Sequence, residues 1–174
     1  MPSGPFAHVC ILVHDLDVAV EDWSKILGVL DPGQIEQPIV RYDSFSSGAD
    51  EGMKWATFVS DHGTEMQFIQ PASGTPMGDR LAKMGEHVHH LCFTTNDVPG
   101  AMTRMAEQGI KLMGGGETYN DPSMPWQNWS WVSPKSAHGV LIEVASPYES
   151  RMDSKWHHAP HKIAKWEKPA APAT

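Results

Sequence analysis

The sequence predicts an α+β fold built from two tandem βαβββ modules, and three observations carry that prediction. The segment FAHVCILVHDLDVAVEDW from Phe6 reappears in outline as VHHLCFTTNDVPGAMTRM from Val88. In both copies a run of period-two character gives way to helical spacing. Both copies also close on a short strand-like run stopped by proline, TEMQFIQP (Thr64 to Pro71) and GVLIEVASP (Gly139 to Pro147). The expected organisation is a first module over 5–72, a linker with a short helix over 73–86, a second module over 87–148 and a tail over 149–174.

Taken in order, the first strand covers His8, Cys10 and Leu12 on one face and Val9, Ile11 and Val13 on the other. A helix follows, with Leu16, Val20, Trp23 and Leu27 on one side, Asp15 as N-cap and Gly28 as stop signal. Ile39 to Phe45, Lys54 to Ser60 and the TEMQFIQP run supply three further strands. The linker predicts a short helix from Gly78 to Met84. The second copy repeats the scheme: HVHHLCF as strand, then Val98, Met102 and Met105 at helical spacing, Asn96 or Asp97 as cap, and Gly109 as stop. Its second strand falls near Lys111 to Met113, its third at Asn128 to Val132 and its last in GVLIEVASP. The tail is polar and proline-rich; Trp156 and Trp166 predict that part of it packs on the body or a partner, and its last residues read as disordered.

With 174 residues, 40% of them apolar, the chain can bury a core as one compact domain or two small modules that share one. No apolar run approaches the ~20 residues of a membrane span, and MPSGPFAHVC lacks the pattern of a signal peptide. Cys10 and Cys92 lie inside apolar segments and read as reduced thiols, so the expectation is a cytoplasmic protein with no membrane partner. A net charge of −8 argues against nucleic acid as a partner while allowing an anionic small molecule.

The repeat is weak in identity but strict at polar positions. His8 aligns with His90, Cys10 with Cys92, Asp15 with Asp97 and Gln67 with Glu143. A lone strand histidine is usually a core or edge residue, but core packing alone does not ask for one in both first strands. A buried Glu143 without a metal or partner would also be costly. Among the three histidines of HVHH, alternation selects His90, which shares a face with Cys92 and Thr94 and leaves His89 on the opposite face. His157, His158 and His161 in the tail read as solvated.

These residues resemble the vicinal oxygen chelate (glyoxalase/bleomycin resistance/dioxygenase) superfamily over about residues 6–147. Within it the resemblance is closest to the methylmalonyl-CoA epimerase family, through VHHLCF, PKSAHGVLIEV and the His/Gln/His/Glu set. The resemblance implies that the modules curl into a cup-shaped mixed sheet. It also implies a divalent metal at the base, held by His8, Gln67, His90 and Glu143. Two imidazoles, an amide oxygen and a carboxylate suit Co²⁺, Ni²⁺, Mn²⁺, Zn²⁺ or Fe²⁺, with two positions left for the oxygens of a bidentate substrate. The implied reaction is isomerisation or epimerisation through a metal-chelated enolate, with Glu143 as the catalytic base. The implied partners are a small-molecule substrate, with an acyl-CoA as one candidate, and a second copy of the chain in a homodimer. Trp55, Cys10, Cys92, Thr94 and Trp129 are the candidate substrate-pocket residues.

One departure matters. The family's second acid/base carboxylate falls, by alignment on Gly52, at Trp55, which cannot shuttle a proton. A one-base isomerase or a glyoxalase-type lyase would not need it. His8, His90 and Glu143 alone also have the composition of a non-haem Fe(II) facial triad, so an extradiol-type dioxygenase is the alternative enzyme. A drug-sequestering cup of the bleomycin-resistance type is the non-enzymatic one, and it would have no use for four ligand-type residues.

Overall fold

A computed structural model describes residues 5–47, 50–60, 63–153 and 155–166. The expected disorder at the end of the tail lies outside the described residues. The elements are β1 (Phe6–Leu12), α1 (Leu16–Leu30), α2 (Pro32–Glu36), β2 (Ile39–Ser47), β3 (Asp50–Phe58), β4 (Glu65–Gln70), α3 (Pro76–Met84), β5 (His87–Thr94), α4 (Val98–Glu107), β6 (Tyr119–Asp121), β7 (Met124–Val132), β8 (Ile142–Ala145), β9 (Tyr148–Arg151) and β10 (Lys155–His158). The first eight strands form one mixed sheet in the order β2-β3-β4-β1-β5-β8-β7-β6. Strands β1 and β4 are parallel, as are β5 and β8, while β1 and β5 meet antiparallel at the centre. This is the α+β architecture the repeat predicts, with the two copies joined along their first strands.

The sheet buries both faces. On its outer side Leu16, Val20 and Leu27 of α1 pack on Ala56, Phe58 and Phe68, and Val98 and Met102 of α4 pack on Val132 and Val144. On its inner side Cys10, Leu12, Met53, Trp55 and Ile69 form a second cluster. Asp15 caps α1 and Asp97 caps α4 through their carboxylates, as the sequence predicts. No helix among the described residues is long and apolar enough to cross a membrane.

Several expectations are corrected. Helix α1 runs through Gly28 to Leu30 and ends at Asp31, because Gly28 does not take the left-handed conformation of a helix stop and the last turn closes with Asp31 N donating to Leu27 O, just before Pro32 opens the next helix. Lys111 to Met113 is not a strand. Leu112 makes a single bridge to Val132, a tight turn follows over Met113–Gly116, and the edge strand forms later, at Tyr119–Asp121. Gly114, Gly115 and Gly116 all take positive φ there, a conformation open to glycine and hostile to a ladder. The helix α2 is not legible in the sequence reading.

Candidate metal centre and cup

Register at the sheet centre places the candidate residues in two rows. Gln67 of β4 is paired with Cys10 of β1, which is paired with His90 of β5. In the second row Glu143 of β8 is paired with Cys92 of β5, which is paired with His8 of β1. Each row thus has a short thiol in the middle and long polar side chains on its flanks. Cys10 and Cys92 are fully buried and form the floor, which leaves space above them for the imidazoles. Neither lines the open cavity.

The side chains converge. His8 Nε2 lies 3.0 Å from His90 Nε2, and Glu143 Oε2 lies 2.9 Å from His90 Nε2 and 3.6 Å from His8 Nε2. Donors bound to one ion at ~2.1 Å sit about 3.0 Å apart at right angles and about 3.4 Å apart at tetrahedral angles. The three separations therefore suit a facial set around a divalent ion. His8 and His90 are buried, and Glu143 keeps its residual exposure toward the cavity. Burial would raise the Glu143 carboxyl, but hydrogen bonds from His8 and His90 outweigh it and hold the group below the usual carboxylate range. Burial likewise disfavours charge on His90, yet Cys10 and Glu143 push its pKa up to about 9. A cation is favoured at this point, and a metal ion would replace the proton.

Gln67 is placed differently from the other three. Its Oε1 accepts from Trp55 Nε1 at 3.3 Å, and its Nε2 donates to Tyr148 Oη at 2.9 Å. Tyr148 Oη also contacts His8 Nδ1. A His8 that offers its Nε2 lone pair to a metal carries its proton on Nδ1, and Tyr148 is then the acceptor that orients the ring. Sequence reasoning missed Tyr148, since it stands just past the proline that ends the last strand and no periodicity marks it.

His89 is a correction. The register slips from Cys10↔His90 to Ile11↔Val88, so β5 carries an extra residue at this point. The bulge breaks the alternation that would have turned His89 away. His89 is buried beside His90 instead, Nδ1 to Nδ1 at 2.9 Å.

The centre opens into a cleft of about 690 Å³, part of it open to solvent, lined by Phe45, Trp55, Trp129, Trp131, Gln127 and Trp156 among others. Of the candidate pocket residues, Trp55 and Trp129 line it. Thr94 does not: it belongs to a separate small cavity with Glu65 and Lys162, and its hydroxyl donates to Pro5 O at 3.4 Å. Glu65 cannot stand in for the missing carboxylate, because it is buried in that other cavity with Thr57 Oγ1 at 3.0 Å and Ser150 Oγ at 3.2 Å.

A family profile, the Glyoxalase/Bleomycin resistance protein/Dioxygenase superfamily, matches residues 7–125. The chain belongs to this superfamily. Among its curated relatives is an ethylmalonyl-CoA/methylmalonyl-CoA epimerase of Cereibacter sphaeroides, 25% identical over 147 residues, a match spanning 81% of this chain and 96% of that protein. Among solved structures, a substituted Streptomyces coelicolor methylmalonyl-CoA epimerase in complex with 2-nitronate-propionyl-CoA superposes with a TM-score of 0.61 at 25% identity, over 82% of this chain and 96% of its own. The Mycobacterium tuberculosis methylmalonyl-CoA epimerase shares the fold, with a TM-score of 0.62 at 22% identity over 84% of this chain and 92% of its own. The cup and the paired modules are thus superfamily features.

Proposed function

We propose that this superfamily member is a divalent-metal-dependent isomerase or epimerase acting on a carbonyl compound that presents two oxygens to the centre. The convergence of His8 Nε2, His90 Nε2 and Glu143 Oε2 within 3.6 Å of one another carries the reading. Likeness to the epimerases supports isomerase chemistry, and with it an acyl-CoA as a candidate substrate. A divalent ion held by His8, His90 and Glu143 supplies Lewis-acid stabilisation to negative charge on the substrate oxygens, worth several kcal/mol.

The remaining work falls to side chains. Oε2 of Glu143 faces the two imidazoles, which leaves Oε1 to take the proton next to the substrate carbonyl. A carboxylate held below its usual range is a weak base, so the proton it removes must already be strongly acidified. Trp55 lines the wall where alignment on Gly52 puts the family's second carboxylate, so Glu143 would return the proton on the same face of the enolate but to the neighbouring carbon. That favours a one-base isomerisation over a two-base inversion.

The test is proton exchange in D₂O, followed by NMR, with methylmalonyl-CoA and with 2-hydroxyacetophenone as a compact vicinal-oxygen probe. Metal-loaded protein is expected to exchange at least one of them faster than the metal-free protein, and Glu143→Gln is expected to abolish the exchange with only partial metal loss. Full exchange in Glu143→Gln, or none in the wild type with both probes, would contradict the reading.

One observation favours a second reading. The Gln67 amide is engaged by Trp55 and Tyr148, which leaves two histidines and one carboxylate, the composition of an Fe(II) facial triad. Oxygen uptake with catechol after anaerobic Fe(II) loading would select that dioxygenase reading; its absence is expected.

A further inference from the structure

The bulge in β5 sets two consecutive histidines against one cysteine. Cys10 of β1 pairs with His90 and the register resumes at Ile11↔Val88, so His89 and His90 together oppose Cys10. Cys10 Sγ and one ring nitrogen from each histidine lie within 4.8 Å of one another. The two Nδ1 atoms are 2.9 Å apart, and Cys10 is within hydrogen-bonding reach of His90. All three side chains are buried. The divalent centre uses only one side of His90: its Nε2 faces His8 and Glu143, while its Nδ1 faces His89. Cys10 has no part in that centre.

One thiolate and two imidazoles are donors for a soft or borderline ion, and three donors suit trigonal coordination. Around an ion with bonds of ~2.0–2.3 Å, trigonal donors stand about 3.6–3.8 Å apart. The two Nδ1 atoms need part by less than ~1 Å to reach that spacing, and the thiol needs to close by about 1 Å at most. Charge then selects the ion. A thiolate with a monovalent cation leaves the buried set neutral, whereas a divalent cation leaves one net positive charge out of water, which is costly. The Arg80 guanidinium acts on His89 in the same sense, disfavouring positive charge there. Burial keeps the His89 ring neutral near pH 7, so it has no proton to shed on binding an ion. His89 also lines a second cleft of about 870 Å³, part of it open to solvent, with Arg80, Met113, Tyr119 and Leu141. An ion can reach the set from that side without crossing the cup.

We propose that Cys10, His89 and His90 form a second metal site, which takes the soft monovalent cation Cu⁺. The thiol proton leaves to solvent as the Cu–S bond forms, and the two Nδ1 lone pairs complete the coordination. His90 then carries its proton on Nε2, where it donates to Glu143 Oε2 at 2.9 Å instead of ligating a divalent ion. The two sites compete for one imidazole, so copper at the inner site switches off the outer one. That competition rests on the divalent reading of His8, His90 and Glu143; the copper site itself does not.

The experiment titrates the full chain, freed of metal and kept anaerobic, with Cu⁺ held by bicinchoninate, whose coloured complex reports the copper not taken up. Wild-type protein is expected to withdraw one ion per chain. Cys10→Ala and His89→Phe are each expected to weaken that uptake by about 100-fold or more, beyond the range for outer partners. Cys92→Ala, His8→Ala and a chain with His157, His158 and His161 all changed to Ala are expected to keep it. Near-UV circular dichroism checks the fold of each variant. X-ray absorption at the copper edge needs no variant, and one sulfur and two nitrogen neighbours are expected in the wild type. No copper withdrawn, no sulfur neighbour, or wild-type uptake in either Cys10→Ala or His89→Phe would overturn the site. Copper loading is also expected to weaken Co²⁺ binding by about ten-fold or more. Unchanged Co²⁺ affinity in copper-loaded protein would overturn the competition. Failure of copper-free protein to bind Co²⁺ would overturn the divalent reading and leave the copper site standing.

Discussion

The Nδ1 atoms of His89 and His90 lie 2.9 Å apart although the two residues are neighbours in one strand. Regular pleating would put them on opposite faces; the bulge between Cys10 and Ile11 puts both inside. Burial, aided by the charge of His90, lowers the His89 pKa to about 3, so the ring is neutral near pH 7. A neutral His89 can accept the Nδ1 proton of His90 and hold Nε2 toward the centre. Replacing His89 by Phe is expected to weaken divalent-metal affinity by about 10–100-fold, the usual penalty for losing an outer partner of a ligand histidine. A Co²⁺ titration reads the effect, and unchanged affinity would show that His89 is only packing.

Tyr148 makes a second prediction of the same kind on the other histidine. Its hydroxyl joins His8 Nδ1 to Gln67 Nε2. Tyr148→Phe keeps the ring among its neighbours and removes only that link. Metal affinity is expected to fall by about 10–100-fold with the fold intact by near-UV circular dichroism. If the affinity survives, His8 is oriented by packing alone.

The cap of α4 offers a test with a sign in pH. Asp97 Oδ1 accepts from Gly100 N at 2.9 Å, and Arg104 Nη1 lies 3.2 Å from Oδ2. The Gly100 N–H and the Arg104 guanidinium lower its pKa from the usual 3.8. A carboxylate with a lowered folded pKa stabilises fully above its unfolded value and loses that contribution as pH falls through the folded one. Asp97→Ala is expected to cost about 1 kcal/mol near neutrality. The gap in Tm to the wild type should close below pH ~4, where the unfolded carboxylate begins to titrate. A gap that persists there would assign the loss to something other than the charged cap.

Much of the site was legible because the repeat doubles its signal. His8 with His90, and Gln67 with Glu143, occupy matched places in the two modules, and the register puts each next to a cysteine of a central strand. What stayed hidden has no repeat to reveal it. The bulge at His89 comes from how β1 and β5 fit together, which one strand read alone does not contain. Tyr148 and Gln127 have no counterpart in the other copy that alignment could find. The tail is polar in composition, and Trp156 packs on the body as the sequence suggests, with Ala159 and Ile163 buried beside it, while Trp166 stays exposed. The missing strand at Lys111 to Met113 fell to three glycines in a row that take positive φ.

The most direct test of the account is the stoichiometry and spectrum of Co²⁺ binding in wild-type protein, His8→Ala and His90→Ala. One tightly held ion per chain is expected in the wild type, with absorption bands of a low-symmetry N/O site, and loss of that ion in each variant. Full Co²⁺ occupancy with an unchanged spectrum in either variant would contradict it, by removing that histidine from the centre on which the proposed chemistry depends.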